Sequence, residues 1–189
     1  MSPPARRRAT YEDVLAAPRH LVAEIIDGEL SLQPRRALPH AAAATALGEE
    51  LGPPFKRGRG GPGGWLILDE PELHLAADIV VPDLGGWRRE RLPAVPREPY
   101  LRLAPDWVCE VLSASTELRD RTSKLAVYAS AKVGHVWLVN PELRLLEVHR
   151  LGVDGWIRVA AFRDDERVRA EPFDAIELDL SLLWIDAER

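Results

Sequence analysis

The sequence predicts a mixed α/β (α+β) fold, a mixed central β-sheet flanked by helices, and three observations carry that reading. Strand-like and helix-like runs alternate along the chain instead of segregating into blocks. Segment 107–112, WVCEVL, is an apolar run with one acid inside it, Glu110, which is the pattern of a buried central strand carrying one functional or paired carboxylate. Segments 21–26 and 29–32 are strand-like and flank Asp27-Gly28, a strong hairpin signal.

The remaining elements follow in chain order. Thr10 is suited to cap a short helix, with Glu12 and Asp13 in its first turn and Pro18 beyond its end. Segment 39–51 is Ala-rich and reads as a helix packed closely on a sheet, stopped by Gly52-Pro53-Pro54. Segment 58–64 is a Gly/Pro loop, 65–68 a strand, and 73–82 a further apolar stretch ending at Pro82-Asp83. Segment 88–99 holds Pro93, Pro96 and Pro99 and reads as an irregular excursion. A helix is expected from Ser115 or Thr116 to about Lys132, ended by Gly134. A meander follows through 135–139, 144–150 and 156–162, and the tail 173–184 holds one more strand-like segment. The Pro and Gly clusters read as loops within one domain over 1–189, with a core at about 11–150 and a C-terminal meander and tail over 151–189.

Composition narrows the function classes. The 189 residues suffice for one hydrophobic core, and a net charge of −5 counts against a non-specific nucleic-acid coat protein. It does not exclude a nuclease, because a metal site needs clustered carboxylates and local basic patches can still steer a polyanion. Such patches are Arg35-Arg36, Lys56-Arg57 with Arg59, and Arg88-Arg89 with Arg91; any one alone reads as a solvated loop. No apolar run approaches the length of a membrane span, and Arg6-Arg7-Arg8 is followed by no apolar leader segment. The single cysteine, Cys109, rules out an intramolecular disulfide, and a reducing cytoplasm is the expected setting. Cys109 should face away from Glu110 as a buried, inert thiol. His20, His40, His74, His135 and His149 show no zinc-ligand spacing. The loop 60–64 lacks the Lys-Ser/Thr of a phosphate loop.

Hydrolysis of a phosphodiester needs charge neutralisation at phosphorus, an activated water and help for the leaving oxygen, much of which a hard divalent cation supplies. Magnesium takes one or two carboxylates plus waters and phosphate oxygens, and a nearby lysine can orient water or stabilise developing charge. The candidate acids are Asp83, where a strand leaves the sheet after Pro82, and Glu110, on one strand face with Val108 and Leu112. Asp83 alone also fits a turn or cap, and Glu110 a structural salt bridge. Asp120, Lys124 and Tyr128, spaced four apart, share one helix face. Spacing does not decide whether that face meets the Glu110 strand or carries a surface ion pair.

Several motifs in order resemble one family. Segment 105–116 (PDWVCEVLSAST), then Asp120, Lys124 and Tyr128, then Gly134 and 136–141 (VWLVNP) are similar to the Uma family, bacterial restriction endonucleases of the PD-(D/E)XK superfamily. Segment 24–30 (EIIDGEL) resembles the family's first motif and 80–83 (VVPD) the motif that carries its "PD". The resemblance covers roughly 11–150. It implies a restriction-endonuclease-like core with Asp83 and Glu110 as ligands of Mg2+ or Mn2+, and nucleic acid, most simply DNA, as substrate. The superfamily's lysine usually stands two residues after the second acid. Here that residue is Leu112, and Lys124 matches a lysine moved to the next helix. Glu24 matches the first-motif acid, to bind a second metal or orient water. Asp120, Tyr128 and His40 match supporting positions. The usual proline near Ala114 is missing, and His135 replaces the family's usual residue. A homodimer would suit two-strand cleavage. The other reading is a nucleic-acid- or partner-binding protein that keeps the fold without catalysis. A two-acid glycosidase is disfavoured by Lys124.

Overall fold

The computed structural model describes residues 7–34 and 37–184, so the Arg35-Arg36 patch lies outside the described residues. The architecture is mixed α+β, with a four-stranded and a six-stranded sheet sharing an interior and a separate two-stranded ribbon. Helix α1 (Tyr11–Leu15) leads into the hairpin β1 (Leu21–Ile26) and β2 (Glu29–Pro34), as the Asp-Gly signal predicts. Asp27 and Gly28 both take positive φ, 54° and 79°, which this tight turn requires. Helix α2 (Leu38–Leu51) follows; its buried side chains are His40, Ala43, Ala44, Leu47 and Leu51, one stripe at helical spacing. The chain does not stop at Gly52 as expected. A π-helical turn, Gly52–Lys56, continues it and buries Pro54 and Phe55.

The strands β3 (Trp65–Asp69), β4 (Leu73–Leu75), β5 (Asp78–Val80), β6 (Leu84–Arg88) and β7 (Trp107–Val111) come next. The expected single stretch 73–82 is thus a tight hairpin, β4–β5, in which Ala76 takes φ 57°. Helical structure then runs as α3 (Glu117–Arg119), a π-helical turn (Asp120–Lys124) and α4 (Leu125–Ser130). Strands β8 (His135–Asn140), β9 (Leu145–Gly152) and β10 (Gly155–Arg163) form the predicted meander, and β11 (Arg167–Val168) pairs with β12 (Leu178–Asp179).

The large sheet has the order β10-β9-β8-β7-β6-β3, with β7 and β8 parallel and the other pairs antiparallel. The small sheet has the order β2-β1-β5-β4. Strand β7 is central and buried along its whole length, as its apolar run predicts. Its two faces separate two clusters. Trp107, Cys109 and Val111 pack with α2 and the tail, and Val108 and Leu112 pack with Tyr128, Leu73 and Val80. The core continues past residue 150: Phe173 contacts the rings of Phe55, Trp65, Trp107 and Trp137 at centroid distances of 4.7–5.6 Å.

Strand β6 is the element the sequence conceals. Two consecutive glycines argue against a strand interior, yet Gly85 and Gly86 stand between β3 and β7. A Cβ on Gly86 would lie 3.0 Å from the Trp107 ring and 3.3 Å from the Trp65 ring; one on Gly85 would lie 2.9 Å from Pro71 and from Trp87. The large rings on neighbouring strands occupy the volume of the missing side chains. Gly86→Val should therefore destabilise the fold by about 1–3 kcal/mol through overpacking. Thermal unfolding checks this, and an unchanged melting temperature would mean the rings yield.

Candidate active site

The site forms where the chain passes from the small sheet to the large one. Glu24 comes from β1, Asp83 from the step between β5 and β6, Glu110 from β7, and Lys124 from the π-helical turn. All four are buried, with relative exposures of 1–2 %. Buried charge needs partners, and they are present.

The Lys124 ammonium lies 2.7 Å from Glu110 Oε1, 3.1 Å from Glu24 Oε1 and 3.2 Å from the Val81 carbonyl. Those three acceptors match the three N–H donors of the ammonium. Glu24 Oε1 also accepts from the Val81 N–H at 2.8 Å, and its Oε2 pairs with Arg119 Nη2 at 2.6 Å. Arg119 further donates to Ser31 Oγ. Tyr128 OH donates to Glu110 Oε1 at 2.5 Å. Asp83 is fixed from two sides: Oδ2 accepts from the Val111 N–H at 2.7 Å, and Oδ1 lies 2.6 Å from His40 Nε2. The ladder between β6 and β7 begins at Leu84 and Cys109, so the Val111 N–H beyond it meets the Asp83 carboxylate instead of a strand carbonyl. That contact holds Asp83 within one residue of Glu110.

Protonation follows from these contacts. Burial pushes the Glu24 carboxyl up, but Lys124 and Arg119 outweigh it and hold the group below the usual glutamate range. Burial opposes the Lys124 charge, but Glu110, Glu24 and Asp120 raise it above the ordinary lysine value. Burial pushes the Tyr128 phenol well up and Glu110 adds to it, so Tyr128 is a donor at neutral pH.

Two clefts reach the cluster. One of about 300 Å³ is lined by His40, Ala41, Asp69, Glu70 and Asp83. The other, of about 230 Å³, is lined by Glu24, Ser113, Thr116, Arg119 and Asp120. Val22 lines both. Asp120 is 3 % exposed, and among the described residues its side chain makes no hydrogen bond or ion pair.

The comparisons agree with one another. The model of the family described as "Putative restriction endonuclease", Uma2, matches residues 9–182. The chain belongs to this family. A crystal structure of a "putative nuclease belonging to DUF820" from Anabaena variabilis ATCC 29413 is similar with a TM-score of 0.75, at 20% identity, over 93% of this chain and 97% of that one. That likeness shows the fold. No curated protein matches the chain.

In this Uma2 chain the residues singled out from sequence lie together. Glu24, Glu110, Lys124 and Tyr128 form one bonded cluster, and Asp83 with His40 adjoins it through Val111. Asp120 lines the second cleft beside Glu24. Arg119, Ser31 and Glu70 join the site without a signal in the sequence. Arg119 stands five residues before Lys124, a spacing that puts two side chains about 140° apart on a regular α-helix. The π-helical turn, with its i→i+5 repeat, brings both to the two oxygens of Glu24. Glu70 sits in a turn before Pro71 at φ 41°, where its N–H donates to the Asp83 carbonyl at 3.0 Å.

Oxygen donors suit magnesium and manganese, and Asp83 and Glu110 are of that type. Among the described residues no group of three or more His, Cys, Asp or Glu side chains is placed to hold a metal ion.

Tyr128→Phe removes a donor from a buried carboxylate and should destabilise the fold by about 1.5–3 kcal/mol; denaturant unfolding measures it, and no loss would mean the bond is dispensable. Glu24 has a folded pKa below its ordinary 4.5, so its contribution is present above that pH and lost as pH falls through the folded value. The stability difference between wild type and Glu24→Gln should be constant near neutrality and shrink below about pH 4.5. A difference that stays constant down to pH 3 would contradict the depressed pKa.

Proposed function

We propose that this chain is a divalent-metal-dependent endonuclease that hydrolyses phosphodiester bonds in DNA, acting in the cytoplasm. The family assignment supports a nuclease. The observation that carries the finer reading is the fully buried Lys124 ammonium, 2.7 Å from Glu110, beside an Asp83 fastened to the residue after Glu110. An unfunctional core would fill that space with apolar side chains.

Asp83 and Glu110 would hold a magnesium or manganese ion, which supplies charge neutralisation at the phosphate and activates a water. His40 orients Asp83, and Tyr128 orients Glu110. Lys124 stabilises the charge that develops on the phosphoryl oxygens or orients the attacking water. Its N–H groups are engaged in the resting site, so it must exchange one partner to reach substrate. The Val81 carbonyl is the weakest of the three, being neutral and the most distant at 3.2 Å. Glu24 accepts from Lys124, Arg119 and the Val81 N–H, which makes it a positioning residue for Lys124, and the acceptor site left on its Oε2 would serve the second-metal or water-orienting role that the resemblance offers.

Incubation of supercoiled plasmid and of single-stranded DNA with Mg2+ or Mn2+ tests the reading. Cutting should require the metal, fall at least about 100-fold in Lys124→Ala, and vanish in Glu110→Ala. Persistent cutting in Glu110→Ala would refute the assignment of that residue. Saturating metal should also raise the melting temperature of wild type, by about 2.7 kcal/mol of stabilisation at 100 times Kd, and not that of Asp83→Asn. An equal shift in both would remove Asp83 from the metal site.

A further inference from the structure

The cleft at Asp83 does not end there. A second depression of about 520 Å³ shares Ala44, Thr45 and Asp69 with it and continues along α2 to Gly52, Lys56 and Arg57. The two make one groove, with Asp83 and His40 at one end and two cations at the other. We infer that this groove is the track on which the DNA backbone leaves the cutting site, and that Lys56, Arg57 and Arg59 bind its phosphates. The inference rests on the nuclease reading above.

Three features of the groove support it. The first is charge. Lys56, Arg57 and Arg59 are exposed and, among the described residues, form no ion pair or side-chain hydrogen bond, although the chain carries 30 acidic residues. They lie close together because the π-helical turn runs through Lys56 and the Arg59 N–H folds back to the Pro53 carbonyl at 2.8 Å. Of the lining acids, Glu70 and Asp83 belong to the cutting end alone, Asp69 lies where the two depressions meet, and Glu49 lines the half that holds Lys56 and Arg57. A phosphodiester chain fits that polarity.

The second is shape. The α2 residues lining the groove are His40, Ala41, Ala44, Thr45, Gly48 and Glu49, followed by Gly52, and most are small. Neither glycine is required by protein packing. A Cβ on Gly48 would meet nothing nearer than Leu84 at 4.0 Å, and one on Gly52 nothing within 4 Å. Gly48 is a mid-helix glycine, which is unfavourable by about 1 kcal/mol relative to alanine. Here its effect is to leave the groove floor open.

The third is length. Twelve residues separate His40 from Gly52, about 18 Å along the helix axis. A backbone following that path would pass several phosphates, so Lys56 and Arg57 would meet it a few nucleotides from the cut. Exposed lysine and arginine contacts of this kind position the duplex without reading its sequence.

The test is fluorescence anisotropy with a labelled 24-base-pair DNA duplex, Ca2+ replacing Mg2+, across a series of salt concentrations. The proteins are wild type, the triple variant Lys56→Ala/Arg57→Ala/Arg59→Ala, and a control of equal charge change, Arg97→Ala/Arg102→Ala/Arg163→Ala, outside the groove. A steric variant, Gly48→Gln, fills the floor without changing charge. Plasmid cutting with Mg2+ is measured in parallel. The groove variant should bind at least tenfold more weakly, with a salt slope smaller by about 2.7 for three lost phosphate contacts, and the control should change less than threefold. Gly48→Gln should weaken binding at least fivefold with an unchanged or higher melting temperature. Wild-type affinity and slope in both groove variants, with Lys124-dependent cutting intact, would overturn the inference and leave the nuclease reading standing. Failure of wild type both to bind and to cut duplex or single-stranded DNA would overturn the two together.

Discussion

The arrangement of this molecule depends on one buried ammonium shared by two carboxylates from different sheets. Glu24 belongs to the small sheet and Glu110 to the large one, and Lys124 lies within 3.1 Å of both. The lysine therefore fixes the relative position of the two sheets at the point where Val81-Pro82-Asp83 crosses between them. Stability alone does not account for such a cluster. Well-packed apolar groups in place of a buried ion pair are often neutral or stabilising, whereas removing one partner costs about 3–5 kcal/mol. Once built, the cluster is rigid because neither carboxylate can lose its cation cheaply; the neutral Val81 carbonyl is the one partner of Lys124 that exchanges at low cost.

The local backbone is shaped to serve it. On a regular α-helix Asp120, Lys124 and Tyr128 would drift by about 80° over eight residues, and Arg119 would point well away from Lys124. The wider π-helical turn changes both relations. It keeps Asp120, Lys124 and Tyr128 buried at 0–3 % exposure and lets Arg119 reach the second oxygen of Glu24. Inserted π turns of this kind are rare and often mark functional positions. On the other side of the sheet, α2 presents His40 to Asp83, so each acid of the site is oriented by a side chain from a neighbouring helix.

Much of this was legible in the sequence, for identifiable reasons. The hairpin announced itself through Asp27-Gly28, and the central strand through an apolar run broken by a single acid. Alternation alone assigned Cys109 and Glu110 to opposite faces. What stayed hidden needed partners distant in sequence. Gly85-Gly86 argues against a strand until the rings of Trp65 and Trp107 on the flanking strands are seen to occupy the space beside Gly86. Arg119 is silent because its link to Glu24 depends on a π turn that no local propensity encodes. Lys124 is the intermediate case. Spacing left it between a surface pair and a site residue, and its 1 % exposure beside two acids removes the surface reading.

The same geometry would let an acidic protein accept the polyanionic substrate proposed above. The net charge of −5 averages over surfaces that the substrate never meets. What matters to an approaching strand is the order of charges along its path, because exposed charges farther apart than about 8–10 Å are largely screened at physiological salt. Lys56 and Arg57 at one end of the groove, and Asp83 at the other, lie farther apart than that, so each end acts on its own stretch of backbone. The end with Lys56 and Arg57 would hold phosphate without a metal ion. On the nuclease function proposed above, the acidic end would repel phosphate unless a cation intervened, so a strand would be anchored at the far end first and engaged at Asp83 and Glu110 only once the charge there is balanced.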